Sequence, residues 1–208
     1  MKKSRRVKKS NSWKIKQHRD QFFKKSKTLG YRSRASFKLI ELNKKFNFIN
    51  RNTNLLDLGA SPGSWTQVAS QIISSGKIMS IDIKSMEPVK NVKFLKGNIL
   101  EKNIKDEVMM YFASKLDVII SDMAANTTGN KTLDSIRTNK LCADAISFSK
   151  DLLKPKGVLI SKMFMGADFI EVKNLAKSMF EKVNFFKPES SRKESKETYL
   201  HCEFLKTL

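Results

Sequence analysis

The sequence predicts an α/β fold: a mostly parallel seven-stranded sheet with one antiparallel strand and helices on both faces. Three observations predict it. Short apolar runs of strand length alternate along the 208 residues with longer segments of helical periodicity. The run Leu55-Leu56-Asp57-Leu58 passes through Gly59 and Pro62-Gly63 into a helical pattern from Trp65, the strand–turn–helix unit of parallel sheets. The last two runs are joined by a polar loop with no helix, which predicts an antiparallel strand.

In chain order, residues 1–19 form a Lys- and Arg-rich arm with little apolar content beyond Val7, Trp13 and Ile15. The arm is expected to be loosely ordered and drawn to phosphate. Residues 20–208 are expected to form one domain. Residues 20–47 read as two helical pieces split at Thr28-Leu29-Gly30, the second with Ser33 as its N-cap. Phe37, Leu39, Ile40 and Leu42 give that piece an apolar side, and Lys38 falls at its edge.

In the strand–turn–helix unit, Gly59 lets backbone approach a ligand without a Cβ, Pro62 stiffens the turn and Gly63 supplies positive φ. Such a unit holds a nucleotide-like ligand at the carboxyl end of the sheet. The next strand, Lys77–Ile83, ends in Asp82, roughly twenty residues past the turn, where an acid accepts hydrogen bonds from ribose hydroxyls. Residues 92–96 form a third strand, followed by Asn98, which has donor and acceptor capacity for a base edge. A helix is expected over 105–113, a strand over 116–122 ending in Asp122, and a long helix over 133–153. Lys154–Gly157 reads as a turn, 158–164 as a strand with Lys162 near its end, and 167–180 as a helix. Strands near 183–186 and over 197–205 close the chain, with a polar loop over 188–196.

Lys and Arg number 41 against 20 Asp and Glu, a net charge of +21. That excess points to a polyanionic partner, most simply nucleic acid. No apolar run approaches the length of a membrane span, and no apolar signal region follows the basic N-terminus. The expected setting is cytoplasmic, or organellar if the basic N-terminus is a targeting segment. Cys142 and Cys202 read as reduced core thiols. His18 and His201 lack metal-ligand spacing, so no metal site is expected.

The glycine pattern Gly59-x-x-x-Gly63 is neither the dinucleotide nor the P-loop fingerprint, which argues against a dehydrogenase and an NTPase. With the downstream acid Asp82, this strand–turn–helix unit suits S-adenosylmethionine, with Asp57 either orienting the turn or meeting the ligand's ammonium group through water, and Trp65 either walling the site or filling the core. Five motifs then occur in order. They are Arg32-Ser-Arg34-Ala-x-Phe37-Lys38-Leu, Asp57-Leu-Gly59-Ala-x-Pro62-Gly63-x-Trp65, Ser121-Asp122-Met-Ala-x-Asn126, Lys162-x-Phe164-x-Gly166 and Lys187-Pro188-x-Ser190-Ser191-Arg192-x-x-Ser195-x-Glu197-x-Tyr199. On these, the chain resembles the FtsJ/RrmJ family of ribose 2′-O-methyltransferases from Tyr31 to Phe204.

The resemblance implies a Rossmann-like, S-adenosylmethionine-dependent methyltransferase fold. It also implies a catalytic tetrad at Lys38, Asp122, Lys162 and Glu197. The implied cofactor residues are Asp57, Gly59, Pro62, Gly63, Trp65, Asp82, Ile83, Asn98, Ile99 and Asp122. Arg32, Arg34 and Arg192 are the expected RNA contacts. The implied substrate is a uridine 2′-hydroxyl of large-subunit ribosomal RNA, on the large ribosomal subunit, with the enzyme acting as a monomer. Transfer RNA and messenger cap are alternative substrates within the class. A non-catalytic ribosome-assembly factor is the alternative outside it, against which the intact tetrad stands. A lysine beside the hydroxyl can take its proton, or stay charged and stabilise the alkoxide. Asn98, Ser61, Ser64 and Ala125 depart from the family's usual residues, and none belongs to the tetrad.

Overall fold

In a computed structural model, residues 20–166 and 168–206 are described; the basic arm over 1–19 lies outside them. Helices α1 (Gln21–Thr28) and α2 (Ala35–Phe46) lead into β1 (Leu55–Leu58), α3 (Ser64–Ile72), β2 (Ile78–Asp82), β3 (Val92–Lys96) and α4 (Lys102–Phe112). β4 (Leu116–Ser121), α5 (Lys131–Ser149), β5 (Leu153–Phe164), α6 (Phe169–Met179), β6 (Phe180–Phe186) and β7 (Glu197–Leu205) complete the order. The seven strands form one sheet in the order β3-β2-β1-β4-β5-β7-β6. β1 to β5 pair in parallel, and β7 runs antiparallel to both β5 and β6.

Strand periodicity divides the core in two. Leu56, Leu58, Met79, Ile81, Ile119 and Leu159 pack with residues of α4, α5 and α6. Their neighbours Leu55, Ile78, Val118, Ile120 and Ile160 pack on the other face, with Leu39 and Leu42 of α2 and Trp65 and Val68 of α3. Alternate side chains on a strand point to opposite faces, so both faces are covered by helices. Leu39 and Leu42 have no exposed area, and each buried leucine contributes on the order of 1.5–3 kcal/mol.

Local chemistry sets the boundaries. Asp20 caps α1 by accepting from Phe22 N and Phe23 N, and Asn130 caps α5 in the same way through Thr132 N and Leu133 N. Ser33 was the expected cap of the second helix. Its hydroxyl does accept from Ala35 N at 3.1 Å, but Arg34 occupies the cap position and makes no side-chain cap bond. α4 begins at Lys102, three residues earlier than apolar spacing implies, and α5 ends at Ser149 rather than 153. The expected turn at 154–157 survives as an excursion inside β5: Leu116 pairs with Leu153, whereas Val118 already pairs with Val158. β6 starts at Phe180, directly after α6, three residues before the expected strand.

Both cysteines are free and buried, and burial pushes their thiols up, Cys142 to about 12. Among the described residues, no helix is long and apolar enough to cross a membrane. No cluster of three or more His, Cys, Asp or Glu among them could hold a metal ion.

Candidate active site

Strand register builds the site. Leu58 pairs with Ser121, and Ser121 pairs with Ser161. Asp122, just past the end of β4, and Lys162, still within β5, therefore lie side by side at the carboxyl end of the parallel strands. By period-two alternation they share a face with Ile120 and Ile160, the face under α2 and α3. β7 runs back along β5 and sets Tyr199 opposite Lys162 and Glu197 opposite Phe164. Lys38, in the first turn of α2, completes the group.

The Lys162 ammonium donates to the Asp122 carbonyl at 2.7 Å and to its carboxylate Oδ1 at 2.9 Å. Tyr199 Oη donates to the same Oδ1 at 2.7 Å. Lys38 Nζ lies 2.7 Å from both oxygens of Glu197. Ser191 Oγ donates to Glu197 Oε1 at 2.8 Å, and the Glu197 main-chain N–H donates to Ser195 Oγ at 3.2 Å. Tyr199 lies between the two ion pairs: Lys38 Nζ sits 5.8 Å from its ring centroid and its hydroxyl reaches Asp122. Its position was not anticipated as a site residue, although Glu197-x-Tyr199 on a strand puts both side chains on one face.

Electrostatics follow from this arrangement. Burial would raise the Asp122 carboxyl, but Lys162, then Lys38, and the hydrogen bonds from Tyr199 and Lys162 outweigh it and hold it below its ordinary value. Burial, and then the Asp122 and Glu197 charges, push the Tyr199 phenol well above its ordinary value, so it remains a neutral donor.

The glycine turn borders this group. Gly59 has φ +73°, and a Cβ there would lie 2.4 Å from Met123 Cγ and 3.1 Å from Met123 Cα. The turn is thus pressed against the residue after Asp122. Gly63 has φ +98° and caps α3, whose first-turn N–H groups face the turn without intrahelical partners. The Ser61–Pro62 bond is cis. Asp82 Oδ2 accepts from Ser61 N at 2.9 Å and Oδ1 from Lys84 N at 2.7 Å. Each oxygen keeps a lone pair for a further donor. Ile83 is exposed beside it, whereas Ile99 is buried in the core. Asn98 is exposed, and its Oδ1 accepts from Leu100 N at 3.1 Å, which leaves the amide NH2 as the group it presents. Trp65 is buried among core side chains and donates its indole N–H to Ala35 O at 2.8 Å.

Asp57 is buried beneath the turn. Its Oδ2 accepts from Thr66 Oγ1 at 2.6 Å, while Oδ1 has no partner. Burial first, with the Asp122 and Asp82 charges adding, raises the carboxyl to about 7, against the opposing Thr66 hydrogen bond. The unfolded carboxyl ionises near 3.8, so the folded state holds this proton more tightly. Its contribution to stability is complete below that value and is lost as pH rises to about 7. Unfolding measured across pH is expected to show wild type losing stability relative to Asp57→Asn up to that point and no further above it. A constant difference across that range would contradict the assignment.

The three arginines are placed differently from one another. Arg32 donates to the carbonyls of Pro62, Glu87 and Pro88. Arg34 pairs with Asp20 and donates to Ser190 O. Burial lowers the Arg34 guanidinium from its ordinary value, Arg192 adds to this, and Glu197 and Glu194 oppose it. Arg192 alone is exposed, on the loop between β6 and β7. Glu41, on the same side of α2 as Arg34 and Lys38, accepts from Glu189 N and Ser190 N. One helix stripe therefore grips the loop that leads to Glu197.

The FtsJ-like methyltransferase family model matches residues 31–204. The ribosomal RNA large subunit methyltransferase E of Pelagibacter ubique (strain HTCC1062) is 44% identical over 197 residues, covering 95% of this chain and 97% of that protein. The protein of the same name from Rickettsia akari (strain Hartford) is 42% identical over 197 residues, covering 92% and 87%. A solved structure from Plasmodium falciparum, described as a ribosomal RNA methyltransferase, superposes with a TM-score of 0.75 at 34% identity, covering 84% of this chain and 98% of that one. The match spans the glycine turn, both ion pairs and the β5–β7 edge that joins them, and the chain belongs to the FtsJ-like methyltransferase family.

Proposed function

We propose that the protein transfers a methyl group from S-adenosylmethionine to a ribose 2′-hydroxyl of a uridine in large-subunit ribosomal RNA. The observation that carries this reading is the Lys162–Asp122 pair at the sheet edge, one residue from Met123, against which any Cβ at Gly59 would press. A methyl donor held over the glycine turn would face that pair. The names and coverage of the Pelagibacter and Rickettsia relatives support the ribosomal substrate. The two free thiols agree with a cytoplasmic setting.

The residues present fit the donor. Asp82 retains lone pairs that would take the ribose hydroxyls, and Ile83 and the Asn98 amide, just beyond β2 and β3, would meet the adenine. Gly59, Pro62 and Gly63 would let main chain approach the donor, with Asp57 beneath the turn and the first N–H groups of α3, Trp65 included, able to receive its carboxylate. When bound, S-adenosylmethionine supplies an electrophilic methyl on a sulfonium, so the acceptor oxygen must become nucleophilic.

Lys162 meets that need. A charged lysine has three N–H groups, and two of them are directed at the Asp122 carbonyl and carboxylate. The third is free for the 2′-oxygen. When Lys162 is neutral, its two remaining N–H groups keep their Asp122 partners and a lone pair occupies the third position. There it accepts the hydroxyl proton as the oxygen attacks. Asp122 fixes this orientation, and the Tyr199 hydroxyl fixes Asp122. Lys38 sets the field on the other side of Tyr199, and Glu197 holds Lys38. Phosphates flanking the target nucleotide meet Arg192, Lys193 and the basic arm. Such contacts position RNA without specifying its sequence.

The substrate is tested by offering labelled S-adenosylmethionine with isolated large subunits, small subunits or transfer RNA from cells lacking the activity. Label is expected in the large subunit. Label confined to transfer RNA would overturn the assignment.

A further inference from the structure

We propose that Arg32 is a positioning residue for the methyl donor, tying together the two walls of its cradle, and not a contact to the RNA backbone. The proposal rests on the S-adenosylmethionine reading of the glycine turn.

One wall is the turn Ser61-Pro62-Gly63. The other is the loop that follows Asp82, residues 83–88. Asp82 joins them at its root, accepting from Ser61 N with one carboxylate oxygen and from Lys84 N with the other. Farther out, Arg32 spans them. Its Nη1 donates to Pro62 O at 2.8 Å and to Glu87 O at 2.7 Å, and its Nη2 donates to Pro88 O at 2.8 Å. All three acceptors are main-chain carbonyls, so the fork fixes backbone positions directly.

Arg32 is itself held from behind. Its main-chain N–H donates to Gln67 Oε1 at 3.1 Å, and Gln67 Nε2 donates to Gly30 O at 2.9 Å. Gln67 belongs to α3, the helix that starts at the turn. The absence of a side chain at Gly63 makes room for the guanidinium: a Cβ there would lie 2.3 Å from Arg32 Nη1. The same Cβ would lie 3.2 Å from Met86 Sδ, in the opposite wall. Turn, fork and loop are therefore packed as one unit around Asp82.

A planar fork with donors on both η nitrogens can bridge two loops at once. A lysine, with a single compact head, cannot reproduce that span. Both N–H groups of Nη1 and one of Nη2 are committed inside the protein, which removes the end-on Nη1/Nη2 pair from bidentate phosphate binding and leaves only the Nε–H and one Nη2 N–H.

The test measures two affinities on full-length wild type, Arg32→Lys and Arg32→Ala. The first is for S-adenosylmethionine without RNA, by calorimetry. The second is for large-subunit ribosomal RNA across a salt series. The positioning role predicts about tenfold or greater weakening for the methyl donor in both variants, because the fork geometry and not the charge is lost. It also predicts an elevated KM for the donor, with kcat at saturation close to wild type and the salt slope of RNA binding unchanged. Unaltered donor affinity in Arg32→Lys would overturn it, with or without a fall of about 0.7–0.9 in the salt slope of Arg32→Ala, the signature of one lost phosphate contact. Wild type serves as the separate check. If wild type itself fails to bind S-adenosylmethionine, the cofactor reading falls. If wild type binds and the variants bind equally well, only the role of Arg32 falls.

Discussion

Replacing Lys162 with alanine is expected to lower methyl transfer by about a hundred- to ten-thousand-fold while leaving S-adenosylmethionine binding intact. The first part follows from position. Lys162 is buried, and its two hydrogen bonds to Asp122 leave one direction on the nitrogen for the substrate oxygen. Lys38, the other lysine of the group, is held by both oxygens of Glu197 and so does not take that place. The second part follows from the separation of roles: the glycine turn and Asp82 make no hydrogen bond to Lys162. Asp122 keeps the Tyr199 hydroxyl as a donor in the variant. Removing one member of a buried pair leaves an uncompensated charge, so a fall in stability accompanies the loss of activity. Lys162→Arg separates the two effects, since it retains the cation but cannot serve as a base at neutral pH. Single-turnover rates and donor affinity on the same preparations check the expectation. Near-normal turnover of the alanine variant would remove Lys162 from the chemistry.

Gly59→Ala is expected to reduce donor affinity by about tenfold or more. The backbone there has φ +73°, and holding a side-chain-bearing residue in such a region costs of order 1–3 kcal/mol. A free turn that relaxes this strain has to take it up again on binding the donor, and about 1.4 kcal/mol corresponds to each factor of ten in affinity. Contact adds to this. Met123 Cγ can swing away from a new Cβ, but Met123 Cα, 3.1 Å from it, moves only with the main chain. That main chain carries Asp122, so the change also reaches the Lys162 pair. The prediction is a weakened donor affinity together with a reduced kcat, whereas Arg32 substitutions should affect affinity alone. Donor binding at wild-type strength in Gly59→Ala would show that the turn does not approach the ligand as closely as its backbone indicates.

Much of this was legible in the chain itself, and particular residues show why. β3 and β7 begin and end where the strand-length runs of the sequence do, at 92–96 and 197–205. Lys38, Asp122, Lys162 and Glu197 come together because Asp122 and Lys162 follow the paired residues Ser121 and Ser161, and both share the parity of the α2-side core residues Ile120 and Ile160. Parity is a property of sequence, and so is the Glu197-x-Tyr199 spacing. The direct hydrogen bond from Tyr199 to Asp122 is not, because it depends on which strand lies beside β5. The arginines show the limit most clearly. A cationic cluster near a nucleotide-binding turn reads as a phosphate contact. Whether main-chain carbonyls approach the same guanidinium depends on the path of loop 83–88, which no local pattern encodes. Arg32 and Arg34 are both engaged internally, and only Arg192 is left exposed. Trp65 was open between site wall and core; the bond to Ala35 O and its burial put the ring in the core.

The central claim is that the acceptor is a ribose hydroxyl presented to Lys162. It is tested most directly by digesting large-subunit RNA, methylated by the protein with isotopically labelled donor, to single nucleosides and identifying the labelled species. The account predicts label in 2′-O-methyluridine, with the methyl retained on the sugar after the base is removed. Label on a base nitrogen or carbon would contradict it.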